Sequence, residues 1–279
     1  MADTPPIVLS FAASDPSGGA GIQADLLTLA SLDCHPLSVV TAITIQDTMG
    51  VEDVLPIDAD WIVDQARCVL EDVSVNAFKV GLIGSIEAAA AIAEVVADYP
   101  EVPLVLDPVL ASGRGDELAS EDLISAISEL LIPQATVLTP NSHEARRLAT
   151  QDSDEIEDLT LDECALRLLD LGTEYVLLTG THENTVEVVN SLYASEGLLR
   201  SDRWQRLSGS FHGSGCTLAS ALAANLAHGL DVAAAARSAQ EYTWQTLKFA
   251  YRAGMGQLIP DRFFWAHDED DADDEPQPD

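Results

Sequence analysis

Lysine is nearly absent from this chain. Only Lys79 and Lys248 carry it, among 13 basic residues set against 47 acidic ones, for a formal charge of −34. A field of that sign repels nucleic acid and anionic membrane surfaces, which excludes both as partners. It suits a protein in molar salt, where self-repulsion is screened to about 3 Å, and so a salt-accumulating cytoplasm. Missing too is any apolar run of about 18 residues, the length that marks a membrane helix. The opening MADTPPIVLS has no basic segment of a signal peptide, and a cytoplasmic location is expected. Cys34, Cys68, Cys164 and Cys216 lie far apart with no CxxC pair, which argues against a disulfide framework and a zinc site. Each reads as a small buried thiol.

What is present is enough for a large core: 279 residues, 47% of them hydrophobic. Short apolar runs at 7–13, 37–45, 76–83, 102–109, 135–140 and 174–180 read as strands, and most are separated by helical stretches such as 22–32, 60–73, 86–99 and 159–171. Strands apolar on both faces that alternate with helices predict an α/β fold with a mostly parallel central sheet and helices on both faces. VEVVNSLYAS and LLRSDRWQRL alternate with period two around Glu196-Gly197, which predicts a small edge hairpin. No repeat or linker interrupts the pattern. One domain over residues 1–265 is expected, followed at 266–279 by an acidic tail, ending HDEDDADDEPQPD, too charged to fold.

In open parallel sheets ligands bind beyond the carboxyl ends of the strands. Asp107, Asn141 with Glu144, and Thr179-Gly180 all fall at such ends. Asn141 and Glu144 fit a capping box as well as a ligand site, and Asp107 before Pro108 fits a turn as well. Two glycine-rich turns each join an extended stretch to a helix. SDPSGGAG (14–21) is neither GxGxxG nor GxxxxGKS. In FHGSGCTL (211–218), Gly213 and Gly215 uncover backbone N–H groups at a helix start, where an anion such as phosphate is stabilised. Close helix packing by small residues is the other reading of this stretch. The helix end is expected to favour the Cys216 thiolate. Two such loops at one sheet edge would hold the two substrates of a transfer reaction. Asp25, one turn into its helix, reads either as solvated or as a ligand contact.

Taken together, SDPSGGAGIQAD (14–25), TAITIQ (41–46), KVGL (79–82), VLDPV (105–109), TPNSHE (139–144) and HGSGCTL (212–218) resemble the hydroxymethylpyrimidine and phosphomethylpyrimidine kinases of thiamine biosynthesis, within the ribokinase-like group. The resemblance implies transfer of the γ-phosphoryl of MgATP to the hydroxymethyl of an aminopyrimidine, and then a second phosphorylation of that product. Gly213, Ser214 and Gly215 would form the anion hole, with Cys216 where the group's general base is usually an aspartate. Asn141, Glu144 and Asp107 would arrange Mg²⁺, and Asn141, Glu144, Thr179 and Gly180 would face the ATP phosphates. Ala13, Asp25 and Gln46 would surround the polar edge of the pyrimidine, with Val80, Leu82 and Val109 against its ring. A monovalent cation such as K⁺ and a homodimer paired through edge hairpins are further expectations.

The chain departs from the family pattern in places. Thr179-Gly180-Thr181-His182 stands where a Lys-Gly-Gly-His run is usual, and a bound cation or Arg114 is expected to replace the lysine. Asp47 follows Gln46 where asparagine is usual, and Phe211 replaces threonine. A pyridoxal-type kinase and a non-catalytic pyrimidine-binding regulator are the alternatives.

Overall fold

The computed structural model describes residues 4–112, 115, 117–150 and 159–267. Most of the acidic tail, and Arg114, lie outside the described residues. Nine strands form one sheet in the order β3-β2-β1-β4-β5-β6-β7-β8-β9. They are β1 (Ile7–Ser14), β2 (His35–Gln46), β3 (Val51–Pro56), β4 (Ala77–Val80), β5 (Leu104–Leu106), β6 (Val137–Leu138), β7 (Tyr175–Thr179), β8 (Glu187–Ala194) and β9 (Gly197–Gln205). From β2 across to β7 every neighbouring pair is parallel. β3 and the β8–β9 hairpin add antiparallel edges. This is the mostly parallel, ribokinase-like architecture that the sequence predicts.

Side-chain alternation divides each central strand between two cores. Leu9 and Phe11 of β1 and Phe78 and Val80 of β4 enter one core. There they meet α2 (Ala59–Leu70), α3 (Ile86–Ala97), α4 (Glu121–Ala126), α5 (Ser142–Ala149) and α6 (Leu161–Asp170). Val8 and Ala77 face the opposite core with α1 (Gly21–Ser31), α7 (Ser214–Ala227) and α8 (Val232–Lys248). Fully buried Ala219, Ala221, Ala223 and Ala224 keep α7 slim, so it packs under β1, β4 and β5. Its N-terminus thereby points at the carboxyl ends of those strands. From β1 the chain steps to β2 on one side and returns to β4 on the other, opening a crevice at the switch point.

Some elements differ from expectation. β3 is an unpredicted edge strand, because VEDVLP exposes Glu52, Asp53 and Leu55 and lacks the apolar signature of the central strands. Its turn from β2 is held by Asp47, whose Oδ1 accepts from the amides of Met49 and Gly50 at 2.7 and 3.2 Å. Cys68 is exposed, unlike buried Cys34 and Cys164. Among the described residues no helix is long and apolar enough to cross a membrane.

Candidate active site

The two glycine-rich turns form one floor. Asp15 shapes the first: its Oδ1 accepts from the Ser17 amide at 2.8 Å and its Oδ2 from the Ala20 amide at 2.7 Å. The same Oδ2 lies 2.8 Å from His212 Nε2, which ties the first turn to the second. Gly213 is left-handed, φ 79°, and a Cβ there would stand 1.9 Å from the Gly19 carbonyl oxygen. Only glycine permits that approach. Gly213 caps α7 without a side-chain hydrogen bond, so the first-turn N–H groups stay open to an anion. The two turns thus meet as one continuous loop surface.

Behind this floor lies a buried ion pair. Lys79 Nζ donates to both carboxylate oxygens of Asp25 at 2.9 Å, with both side chains wholly buried. Ser220 Oγ donates to Asp25 Oδ1 at 2.7 Å. Asp25 is therefore not solvated, and it lies behind the cavity wall rather than on it, wholly buried with both oxygens engaged inside the fold. Burial disfavours the Lys79 ammonium, yet Asp25 holds its pKa above the ordinary lysine value. Val80 is likewise corrected: it alternates away from Lys79 into the core, fully buried.

The carboxylates above this pair are unsettled. Asp107 is 5% exposed, and its Oδ2 has no hydrogen-bond partner. Burial raises its pKa to about 6, opposed by Lys79 and assisted by the Asp25 charge. Glu144 rises to about 8 through burial and the charge of Asp107. Cys216 is pushed up to about 12 by burial, opposed by Lys79 and reinforced by Asp107 and Asp25. Burial therefore works against the expected thiolate, with Asp107 and Asp25 adding to it. A Cβ built on Gly215 would lie 3.9 Å from Asp107 Oδ1, so the carboxylate faces the anion-holding turn at ordinary contact distance.

Two neighbouring buried carboxylates and an orphaned oxygen fit a hard divalent cation such as Mg²⁺. Among the described residues no group of three or more His, Cys, Asp or Glu side chains is placed to hold a metal ion. Asn141 completes a capping box: its Oδ1 accepts from the His143 and Glu144 amides at 2.9 and 3.0 Å, and Glu144 Oε2 accepts from the Asn141 amide at 2.9 Å. Its oxygen is thus engaged in the cap, as is one oxygen of Glu144.

A cavity of about 510 Å³ runs over these groups. Ala13, Gln46, Leu82, Val109, Asp107, Asn141, Glu144 and Thr179 line it together with Gly213, Ser214, Gly215 and Cys216. Gly180 does not. Its amide donates to Asn190 Oδ1 at 3.1 Å, and a Cβ on it would meet the Val189 carbonyl oxygen at 2.3 Å, so it serves strand packing. The sequence reading missed Lys79, Trp204, Arg206 and Trp244 on the cavity wall. Lys79 sits inside a quoted motif, but the other three carry no local signal. Arg206 binds the segment after β7, donating to the carbonyls of Thr181, Glu183 and Thr185 at 2.7, 2.8 and 3.0 Å.

A switch-point cleft, open helix N–H groups and carboxylates suited to a cation together define an enzyme site built for phosphoryl transfer. The family model described as phosphomethylpyrimidine kinase matches residues 15–261. A hydroxymethylpyrimidine/phosphomethylpyrimidine kinase of Mycobacterium tuberculosis is 38% identical over 255 residues, 91% of this chain and 92% of the relative. Among solved structures, the pyridoxal kinase of Bacillus subtilis in an ADP complex aligns with a TM-score of 0.85 at 29% identity, covering 94% of this chain and 99% of its own. The phosphomethylpyrimidine kinase of Clostridium difficile gives 0.74 at 32% identity over 87% of this chain and 99% of its own. The chain belongs to the phosphomethylpyrimidine kinase family.

Proposed function

We propose that this chain is a kinase that transfers the γ-phosphoryl of ATP to the hydroxymethyl of 4-amino-5-hydroxymethyl-2-methylpyrimidine and then phosphorylates the resulting monophosphate. The observation that carries the reading is the Asp107 carboxylate facing the anion-holding turn of residues 213–216. Ala13, Leu82 and Val109 present apolar surface to a ring, and Gln46 adds an amide at its edge. Open N–H groups at the start of α7 receive the phosphoryl oxygens, and fixed donors stabilise its charge without reorganising. Asp107 and Glu144 would hold Mg²⁺ through its waters, and the ion would neutralise the nucleotide phosphates.

The transition state is loose, so the alcohol needs no prior ionisation. Cys216 is a neutral thiol at rest. It holds the attacking hydroxyl in line and receives its proton as its own S–H proton passes to the Asp107 carboxylate. Arg206 is a cation that serves the loop where lysine is absent, beside the expected Arg114 or a bound K⁺. We infer one catalytic domain over residues 1–265 working in the cytoplasm. Homodimer formation is supported by Ile43 and Leu55, paired across β2 and β3 and 48% and 65% exposed.

The structural likeness to pyridoxal kinase keeps a second ring substrate in play. ADP release from MgATP in molar KCl, with the hydroxymethylpyrimidine, its monophosphate and pyridoxal offered in parallel, tests the choice. Turnover of both pyrimidines above pyridoxal is expected. Turnover of pyridoxal alone transfers the site to the second reading, and pyrimidine binding without any turnover supports a regulator.

A further inference from the structure

Arg262 follows α8, outside every motif of the sequence, and is 3% exposed. No carboxylate pairs with it among the described residues. Its partners are neutral oxygens in the two glycine-rich segments. Nη2 donates to the Gly19 carbonyl at 2.6 Å and to Thr217 Oγ1 at 3.0 Å, and Nε reaches the same hydroxyl at 3.2 Å. Thr217 Oγ1 in turn donates to the Gly213 carbonyl at 2.8 Å, so one cation reaches both turns. The backbone that carries it is pinned, because the Tyr242 hydroxyl donates to the Arg262 carbonyl at 2.9 Å and the Asp261 amide to Thr246 at 3.0 Å.

A buried guanidinium without an acid is expensive, and a neutral side chain would clamp two carbonyl-bearing loops at less cost. Arginine keeps its proton even here. Its charge therefore has no carboxylate at salt-bridge distance among the described residues, in a low-dielectric setting against the first turn of the helix whose N–H groups await an anion. Asp15 and His212 join the same two segments through a separate contact.

We propose that Arg262 is a positioning residue for phosphoryl transfer: its acid-free guanidinium locks the 15–21 turn against the 213–216 turn and lends that turn a fixed positive charge. The proposal rests on the kinase reading above, but it has a readout independent of turnover. Arg262→Lys keeps the charge, and Arg262→Gln keeps a donor without it.

In the wild-type background, Arg262→Gln is expected to lower kcat by about 10²-fold, the scale of one lost oxyanion donor. The pyrimidine KM is expected to stay within about twofold, because the interaction is made in the transition state. Arg262→Lys should recover most of the loss. Calorimetric titration with inorganic phosphate should show weaker binding in Arg262→Gln than in Arg262→Lys, whether or not the wild type turns over the pyrimidine. Equal kcat and equal phosphate binding in the two variants, with only a lower Tm, would overturn the proposal. If Arg262→Gln shows no cooperative thermal transition, Thr217→Val cuts the arm to Gly213 and leaves Arg262 in place. A fall in kcat at constant pyrimidine KM then supports the proposal, and unchanged kcat overturns it.

Discussion

The buried pair of Lys79 and Asp25 makes a demanding test of the fold beneath the site. Either partner alone leaves an isolated charge where water cannot follow. The ammonium is so enclosed that a Cβ on Gly81 would lie 2.5 Å from it. Breaking such a pair costs about 3–5 kcal/mol, and at roughly 2–4 °C per kcal/mol for a domain of this size the Tm should fall by about 6–20 °C. Lys79→Met and Asp25→Asn should each show this loss. The double variant removes both charges, leaves an amide for Ser220, and should return to within about 2 kcal/mol of wild type, since a neutral replacement is often isoenergetic with a buried pair. The assay is thermal and urea unfolding of the four proteins in the same molar KCl, read as a double-mutant cycle. Two small single effects, or losses that simply add, would refute the reasoning, for they would mean that the pair is solvated or uncoupled.

Other consequences can be measured separately. Gly213→Ala combines a left-handed backbone with a clash against Gly19 and should abolish most turnover, which steady-state kinetics checks; wild-type activity would contradict the loop contact. Cys216 should react with iodoacetamide far more slowly than exposed Cys68 at neutral pH, as peptide mapping would show, because its pKa is pushed up to about 12. Rapid Cys216 labelling would restore the thiolate. Burial notwithstanding, hydrogen bonds from His212, Gln46, Ser17 and Ala20 hold the Asp15 carboxyl well below its ordinary range. Its contribution is therefore full above the unfolded pKa of about 3.9 and is lost as pH falls through the lower folded value. The Tm deficit of Asp15→Asn should shrink only below that unfolded value; a deficit already gone by pH 6 contradicts the assignment.

How much of this was legible depended on whether the deciding forces were local. The central strands declared themselves because 7–13 and 76–83 are apolar on both faces, and the glycine turns because their backbone geometry demands small residues. β3 did not, since an edge strand with Glu52 and Asp53 outward carries little apolar signal. Asp107 was read from its place at a strand's carboxyl end, and Gln46 only from the family resemblance; both line the cavity. Val80 was misread by one residue of strand parity, since Lys79 takes the opposite face. Asp25 was misplaced because its partners, Lys79 and Ser220, lie 54 and 195 residues away in sequence. The Cys216 thiolate was misjudged for a similar reason: the helix start is local, but the burial that opposes it, and the Asp107 and Asp25 charges that add to it, arrive only with the folded sheet and α1. Arg206, Trp204 and Trp244 reach the cavity only once the β8–β9 hairpin and α8 are folded.

The most direct test of the kinase site is phosphorus NMR of wild type and Asp107→Asn supplied with MgATP and the hydroxymethylpyrimidine. Wild type should show the γ-phosphoryl signal pass to a phosphate monoester and then to a diphosphate. Asp107→Asn should still bind the pyrimidine while transfer slows by about 10²-fold or more. Transfer at the wild-type rate in the variant, or no phosphate ester from the wild type, would contradict the account.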